Sequence, residues 1–173
     1  MLKIALILLL IICFSSCKSS NKAIAAKPNT VKILEKPKST ANTHNSKKAN
    51  DIINYAEKFN GVKYKYGGDS KKGMDCSGLV SVSFKSEDVL LPRTTKDLAV
   101  SGEWIDLKEV QKGDLLFFAT KKNSRNVNHV AIVTSAKTGN VEFIHATTSS
   151  GVITSNLAER YWYYSFVQAR RIL

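Results

Sequence analysis

A break in character at Asp51 decides how much of this 173-residue chain can build a core. The first sixteen residues carry a single charge, Lys3, followed by an apolar run from Ile4 to Ile12. That run falls short of the roughly 20 apolar residues needed to span a bilayer. A short positive start, an apolar middle and small residues at Ser15 and Ser16 read as an export signal. Cys17 follows at once, in the place where a bacterial lipoprotein carries its acylated cysteine; Cys13, preceded by bulky Ile12, is a poorer acceptor. Residues 18–50 hold eight lysines against one acid, Glu35, with Pro28, Pro37 and many Ser, Thr and Asn breaking any apolar period. Such a stretch is expected to be a solvated, disordered tether. The boundaries that follow are 1–16 signal, 17–50 lipidated cysteine and basic tether, and 51–173 a single domain.

The formal charge of +12 therefore belongs mostly to the tether. From Asp51 onward 17 basic residues face 13 acidic ones, and no basic stripe with interleaved aromatics is present. That balance argues against a nucleic-acid partner. The 123 residues of the domain are enough for one core. They contain one cysteine, Cys76, and two histidines, His129 and His145. Export usually favours paired cysteines, so a lone thiol asks for a chemical reason.

Periodicity predicts a helix over 51–60, with Ile52, Tyr55, Ala56 and Phe59 on one face and Gly61 as the stop. A second short helix is expected over 94–101, where Thr94 and Asp97 have capping-box spacing. Segments 114–119, 129–135, 141–147, 151–155 and 165–172 read as strands separated by turn residues. Helices first and strands after describe an α+β domain. Residues 79–84 alternate like a strand and carry β-branched valines, so local pattern alone makes them β.

His129 opens one strand and His145 lies late in the next, with Thr138-Gly139-Asn140 as the turn between them. If the hairpin is symmetric about Lys137, the even separation puts both histidines on one face, where one imidazole can orient the other. Nucleophilic thiol catalysis needs a thiol, a base and a group to hold the base. Cys76, His129 and His145 can supply all three. A zinc site is the competing reading, since the same trio offers three ligands, although no CxxC, HxxxH or HExxH spacing is present.

Ordered blocks carry a more specific signal. Met74-Asp75-Cys76-Ser77-Gly78-Leu79-Val80, Leu91-Pro92-Arg93-Thr94, Gly113-Asp114-Leu115-Leu116-Phe117-Phe118, Asn128-His129-Val130-Ala131-Ile132-Val133 and Phe143-Ile144-His145-Ala146 resemble the NlpC/P60 family of cell-wall cysteine peptidases. The likeness continues through Ser149-Ser150-Gly151-Val152-Ile153, Tyr161-Trp162 and Ala169-Arg170-Arg171-Ile172-Leu173. Within the family, one such domain on a lipidated tether is most similar to the Spr-type murein endopeptidase lipoproteins.

The resemblance implies a reduced papain-like fold, with N-terminal helices packed on an antiparallel sheet of about five or six strands. It also makes Cys76 the start of a helix, against the local pattern of residues 79–84. A helix N-terminus carries partial positive charge, which is expected to lower the thiol pKa. By the same resemblance Cys76, His129 and His145 are the catalytic set, Tyr66 supplies an oxyanion contact, and Asp75, Ser77 and Arg93 line the substrate groove. Neither a cofactor nor a metal is implied. The expected substrate is a peptidoglycan stem-peptide amide, with the cross-link from D-alanine to meso-diaminopimelate preferred over the D-γ-glutamyl bond. A domain of this length leaves no room for the SH3-like domain that closes the groove in some relatives. The expected setting is the cell envelope, with acylated Cys17 in a lipid membrane. Lys18 after it resembles lipoproteins of the outer membrane facing the periplasm, and a monomer is expected. A wall-binding lipoprotein without catalysis is the rival reading.

Overall fold

The computed structural model describes residues 39–173, with side chains from 43 onward, and these belong to one compact unit. Cys17 and the apolar segment before it lie outside the described residues. Among the described residues no helix is long and apolar enough to cross a membrane.

Helix α1 spans Ser39–Glu57. It starts well before the expected Asp51, so residues 39–50, read above as disordered tether, are helical. The physical reason is visible in the sequence: Ala49, Ile52, Ile53 and Ala56 follow the helical period, and all four are buried. An exposed Lys47–Asp51 pair at 3.0 Å adds an i,i+4 contact worth a few tenths of a kcal/mol at most. A two-residue hairpin, β1 (Asp69–Ser70) and β2 (Gly73–Met74), follows and leads directly into helix α2, Cys76–Lys85. Leu79, Val80 and Phe84 of α2 are buried, so the alternating valines that favoured a strand are overruled by a helix N-cap and by packing. Helix α3 is short, Thr95–Leu98, and Thr94 caps it by accepting from the Asp97 N–H at 3.2 Å, as the capping-box spacing indicated.

Six antiparallel strands complete the domain: β3 (Glu103–Ile105), β4 (Leu115–Phe118), β5 (His129–Lys137), β6 (Asn140–Thr147), β7 (Gly151–Asn156) and β8 (Phe166–Arg171), in the order β3-β8-β4-β5-β6-β7. A short helix α4, Arg160–Ser165, which the sequence reading did not anticipate, precedes β8. The sheet is covered on both faces. Leu115, Phe117, Val130, Ile132, Ile144 and Ala146 pack beneath α1 and α2. Leu116, Phe118, Ala131, Val133, Phe143 and Trp162 of α4 form a second cluster on the other face. Burial on both sides explains why β4 is apolar at every position.

The β5–β6 hairpin departs from the symmetry expected about Lys137. Its turn is Thr138-Gly139, with Lys137 paired to Asn140 and Gly139 at φ +74°. That register, continued without interruption, would send His129 and His145 to opposite faces. A bulge at Thr134 intervenes, because Val133 pairs with Phe143 while Ser135 pairs with Glu142. One extra residue restores the parity, and His145 falls diagonal to His129 on one face. The histidine pair therefore depends on an irregularity that alternation alone does not show.

Candidate active site

Cys76 is the first residue of α2, and Asp75 is its N-cap. The thiol is unpaired and only 8% exposed. Its Sγ lies 3.6 Å from Thr95 Oγ1. Cys76, His129, Tyr64, Asn128, Thr147 and Trp162 line one cavity of about 330 Å³. Cys76 comes to this cavity from the helical face and His129 from the start of β5.

Behind His129 runs a chain of hydrogen bonds. His129 Nε2 is 2.9 Å from His145 Nδ1, and His145 Nε2 is 2.9 Å from Ser155 Oγ on β7. Trp162 stacks on the His129 ring at 5.5 Å with planes 24° apart, and meets the His145 ring edge-to-face at 4.6 Å. Both rings are thus clamped, and His129 Nδ1 is the nitrogen not engaged with His145. Both nitrogens of His145 are occupied, which leaves it no lone pair for a metal and removes one ligand from the zinc reading.

Burial sets the protonation states. It pushes His129 down to about 4 and His145 down to about 3, the latter also through the neighbouring His129. Both imidazoles are neutral at pH 7. Burial also pushes the Cys76 thiol up, outweighing hydrogen bonds from Thr95 and the Val130 and Ser77 N–H groups, while the charge of Asp75 pushes the same way as burial. Burial thus works against the lowering expected from a helix N-terminus. A neutral thiol beside a neutral imidazole needs its proton removed as it attacks, which is general-base activation rather than a standing thiolate. The sign for activity follows: a base ionising near 4 is competent above that pH and lost below it. The acid limb of kcat/KM should therefore fall near pH 4, and a limb at pH 6.5 in a pH–rate profile would contradict the burial argument.

Asp75, Ser77 and Arg93 form a closed network instead of lining the cavity. Arg93 grips Asp75 with two hydrogen bonds, Nη1 to Oδ1 at 2.9 Å and Nη2 to Oδ2 at 3.0 Å. Nη1 also donates to Ser77 Oγ at 2.8 Å, and Nη2 to the Gly68 carbonyl at 3.2 Å. Asp75 further accepts the N–H groups of Gly67 and Gly78, each at 2.7 Å. Burial alone would raise the Asp75 carboxyl, but the hydrogen bonds from Arg93, Gly78 and Gly67 hold it below the usual carboxylate range. None of the three is among the residues lining the cavity, and together they form a brace that fixes the start of α2. Gly78 belongs to the same brace, since a Cβ there would overlap the Gly68 carbonyl.

Tyr66 is also misplaced by the sequence reading. It is 89% exposed and outside the cavity, whereas Tyr64, two residues earlier, lines it. Lys65 N–H donates to the Met74 carbonyl and Tyr64 bridges Met74, which fixes Tyr64 beside the nucleophile's helix. Burial raises the Tyr64 hydroxyl pKa, and so does its proximity to Cys76 and Asp75. The alternation Val62-x-Tyr64-x-Tyr66 gives both tyrosines the same parity and offers no signal for choosing between them. Trp162 entered the sequence reading only within the Tyr161-Trp162 block of the resemblance, with no role, and Ser155 had none either. Ser155 shares the parity of His145 across β6–β7, where Ile153 faces His145.

Residues 61–171 match the NlpC/P60 family. The probable endopeptidase NlpC of Escherichia coli (strain K12) is 44% identical over 117 residues, covering 67% of this chain and 73% of that protein. The murein DD-endopeptidase MepS/murein LD-carboxypeptidase of the same organism is 41% identical over 120 residues, covering 69% of this chain and 60% of that protein. An NlpC/P60 family protein from Bacillus cereus has a crystal structure that superposes with a TM-score of 0.66 at 32% identity, over 72% of this chain and 40% of that one. From the nucleophile's helix to the histidine hairpin, the chain belongs to the NlpC/P60 family.

Proposed function

We propose that this chain is a cysteine peptidase of the bacterial cell wall that hydrolyses D-alanyl-meso-diaminopimelate cross-links between peptidoglycan stems. The single observation that carries the reading is the cavity shared by Cys76 and His129, with His145 hydrogen-bonded behind the base. The choice of bond is supported by the likeness to a protein named a murein DD-endopeptidase.

The steps follow from the geometry. Cys76 Sγ attacks the scissile carbonyl carbon while its proton passes to His129 Nδ1. The resulting oxyanion takes a hydrogen bond from the Cys76 backbone N–H and from the Tyr64 hydroxyl, the role first expected of Tyr66. Collapse breaks the C–N bond, and His129 returns the proton to the departing amine. Water, deprotonated by His129, then attacks the thioester and releases the carboxylate, and the proton goes back to the thiol. His145 stabilises the transient imidazolium by accepting from His129 Nε2–H.

The chain acts from a lipid anchor at Cys17, on the outer membrane facing the periplasm, as a monomer. The lysine-rich composition of residues 18–38 supports a spacer that lets the domain reach the wall. Digestion of purified sacculi followed by mass spectrometry tests the bond: cross-linked dimers should convert to monomers with free D-alanine ends. Dimers that persist while stems shorten would move the assignment to the D-γ-glutamyl bond. In the expressing cells the wild-type chain should sediment with membranes, and Cys17→Ala should not.

A further inference from the structure

The relay behind His129 does not end at His145. His145 Nε2 meets the hydroxyl of buried Ser155 at 2.9 Å, and the two residues sit on one face of adjacent strands. We propose that Ser155 is a positioning residue that holds His145 in the tautomer which leaves His129 able to act as a base. The inference rests on the cysteine-peptidase reading above.

Proton counting along the chain supplies the argument. For His129 Nδ1 to accept the thiol proton, the His129 hydrogen must reside on Nε2. That N–H then donates to His145 Nδ1, which must be bare. The hydrogen of neutral His145 consequently resides on Nε2 and needs an acceptor, and Ser155 Oγ is within reach. A hydroxyl can accept with its lone pairs while its own hydrogen rotates away. The opposite arrangement places the His145 hydrogen on Nδ1, donating to His129 Nε2. The His129 hydrogen is then forced onto Nδ1, and the base is blocked. Both arrangements keep one hydrogen between the rings, so the His–His contact alone does not choose between them. The outer partner sets the penalty on the working form. Ser155 Oγ can accept its Nε2–H, and can as well donate to the bare Nε2 of the blocked form, so only the working form depends on it to satisfy a buried N–H.

Without the Ser155 hydroxyl, the working tautomer leaves a buried N–H with nothing to accept it. The blocked tautomer leaves only a bare lone pair, which is tolerated better. Removing the hydroxyl therefore shifts population toward the blocked form. Trp162 and Phe143 pack on the His145 ring, 4.6 Å and 5.0 Å between centroids, which hinders a ring flip that would find another acceptor.

The test compares Ser155→Ala, Ser155→Thr and Ser155→Val with wild type in three readouts: kcat and KM on sacculi, the rate of Cys76 alkylation by iodoacetamide, and the 15N shifts of the His145 ring. Ser155→Ala and Ser155→Val should lose about 10- to 100-fold in kcat, the size seen when the partner behind a working histidine is removed. KM should stay within about twofold, alkylation should slow in parallel, and the His145 shifts should move toward the Nδ1–H form. Ser155→Thr, which keeps the hydroxyl, should recover most of each. The Thr and Val variants have nearly equal volume, so their contrast still decides the matter if the alanine variant does not fold. Alkylation and ring shifts unchanged across the Thr–Val pair would overturn the proposal. Alkylation and NMR need no wall substrate, so a wild type inert on sacculi would sink the endopeptidase reading while these two readouts still judge Ser155.

Discussion

Cys76→Ala is expected to reduce hydrolysis of sacculi by about 10⁴-fold or more, to the background of the assay. The thiol is the one nucleophile in the cavity positioned at the head of a helix, and no other cysteine lies in the domain. Losing it removes the acyl-enzyme route altogether rather than slowing one step of it. The effect on folding should be small by comparison. Alanine removes one sulfur atom that contacts Thr95 through a long 3.6 Å interaction, and Asp75 still caps the helix. Binding of wall fragments should therefore survive, and co-sedimentation with sacculi measures it directly. This separates catalysis from the rival reading of a wall-binding lipoprotein. Hydrolysis retained by a folded Cys76→Ala protein would remove the thiol from the mechanism. Loss of both binding and hydrolysis in that variant would leave the nucleophile role without support.

The parts of the site that were legible in the sequence are those fixed by few residues. One cysteine and two histidines in 123 residues leave little choice of nucleophile and base, and strand parity suggested that the histidines share a face. The conclusion about the face held, but the path to it did not. The turn register taken alone gives the wrong parity, and the bulge at Thr134 corrects it. A bulge is one residue without a partner, and local alternation carries no mark of it. The valines of α2 misled for a related reason. Val80 is fully buried, so its burial in a helix outweighs its preference for a strand. Tyr66 and Tyr64 differ only in which one the backbone turns inward before Gly67, at φ +73°. Ser155 needed the register of a third strand before its parity meant anything. What the sequence withheld was long-range pairing, which depends on contacts between distant segments.

Asp75→Ala is expected to destabilise the domain by about 2–3 kcal/mol, the cost of removing a buried helix cap and one partner of an ion pair whose arginine is 40% exposed. The carboxylate is 8% exposed and accepts from Gly67, Gly78, Ser77 and Arg93. Truncation strands the buried Gly78 N–H at the first turn of α2 and leaves the Arg93 guanidinium without its carboxylate. Loss of the helix cap alone accounts for about 1 kcal/mol of the total. Thermal melts should show a fall in Tm of about 10 °C for a domain of this size. Asp75→Asn should fall less, because its side-chain carbonyl can still accept the Gly78 N–H. Arg93→Ala combined with Asp75→Ala should cost clearly less than the two singles added, since each single already breaks the same pair. A substrate-groove role predicts the reverse pattern: a raised KM with an unchanged Tm. The same carboxylate that holds the helix start also works against ionisation of Cys76 through its charge. Its place beside the nucleophile therefore makes physical sense as a brace, and a stable Asp75→Ala protein with weakened substrate binding would show that the brace is dispensable.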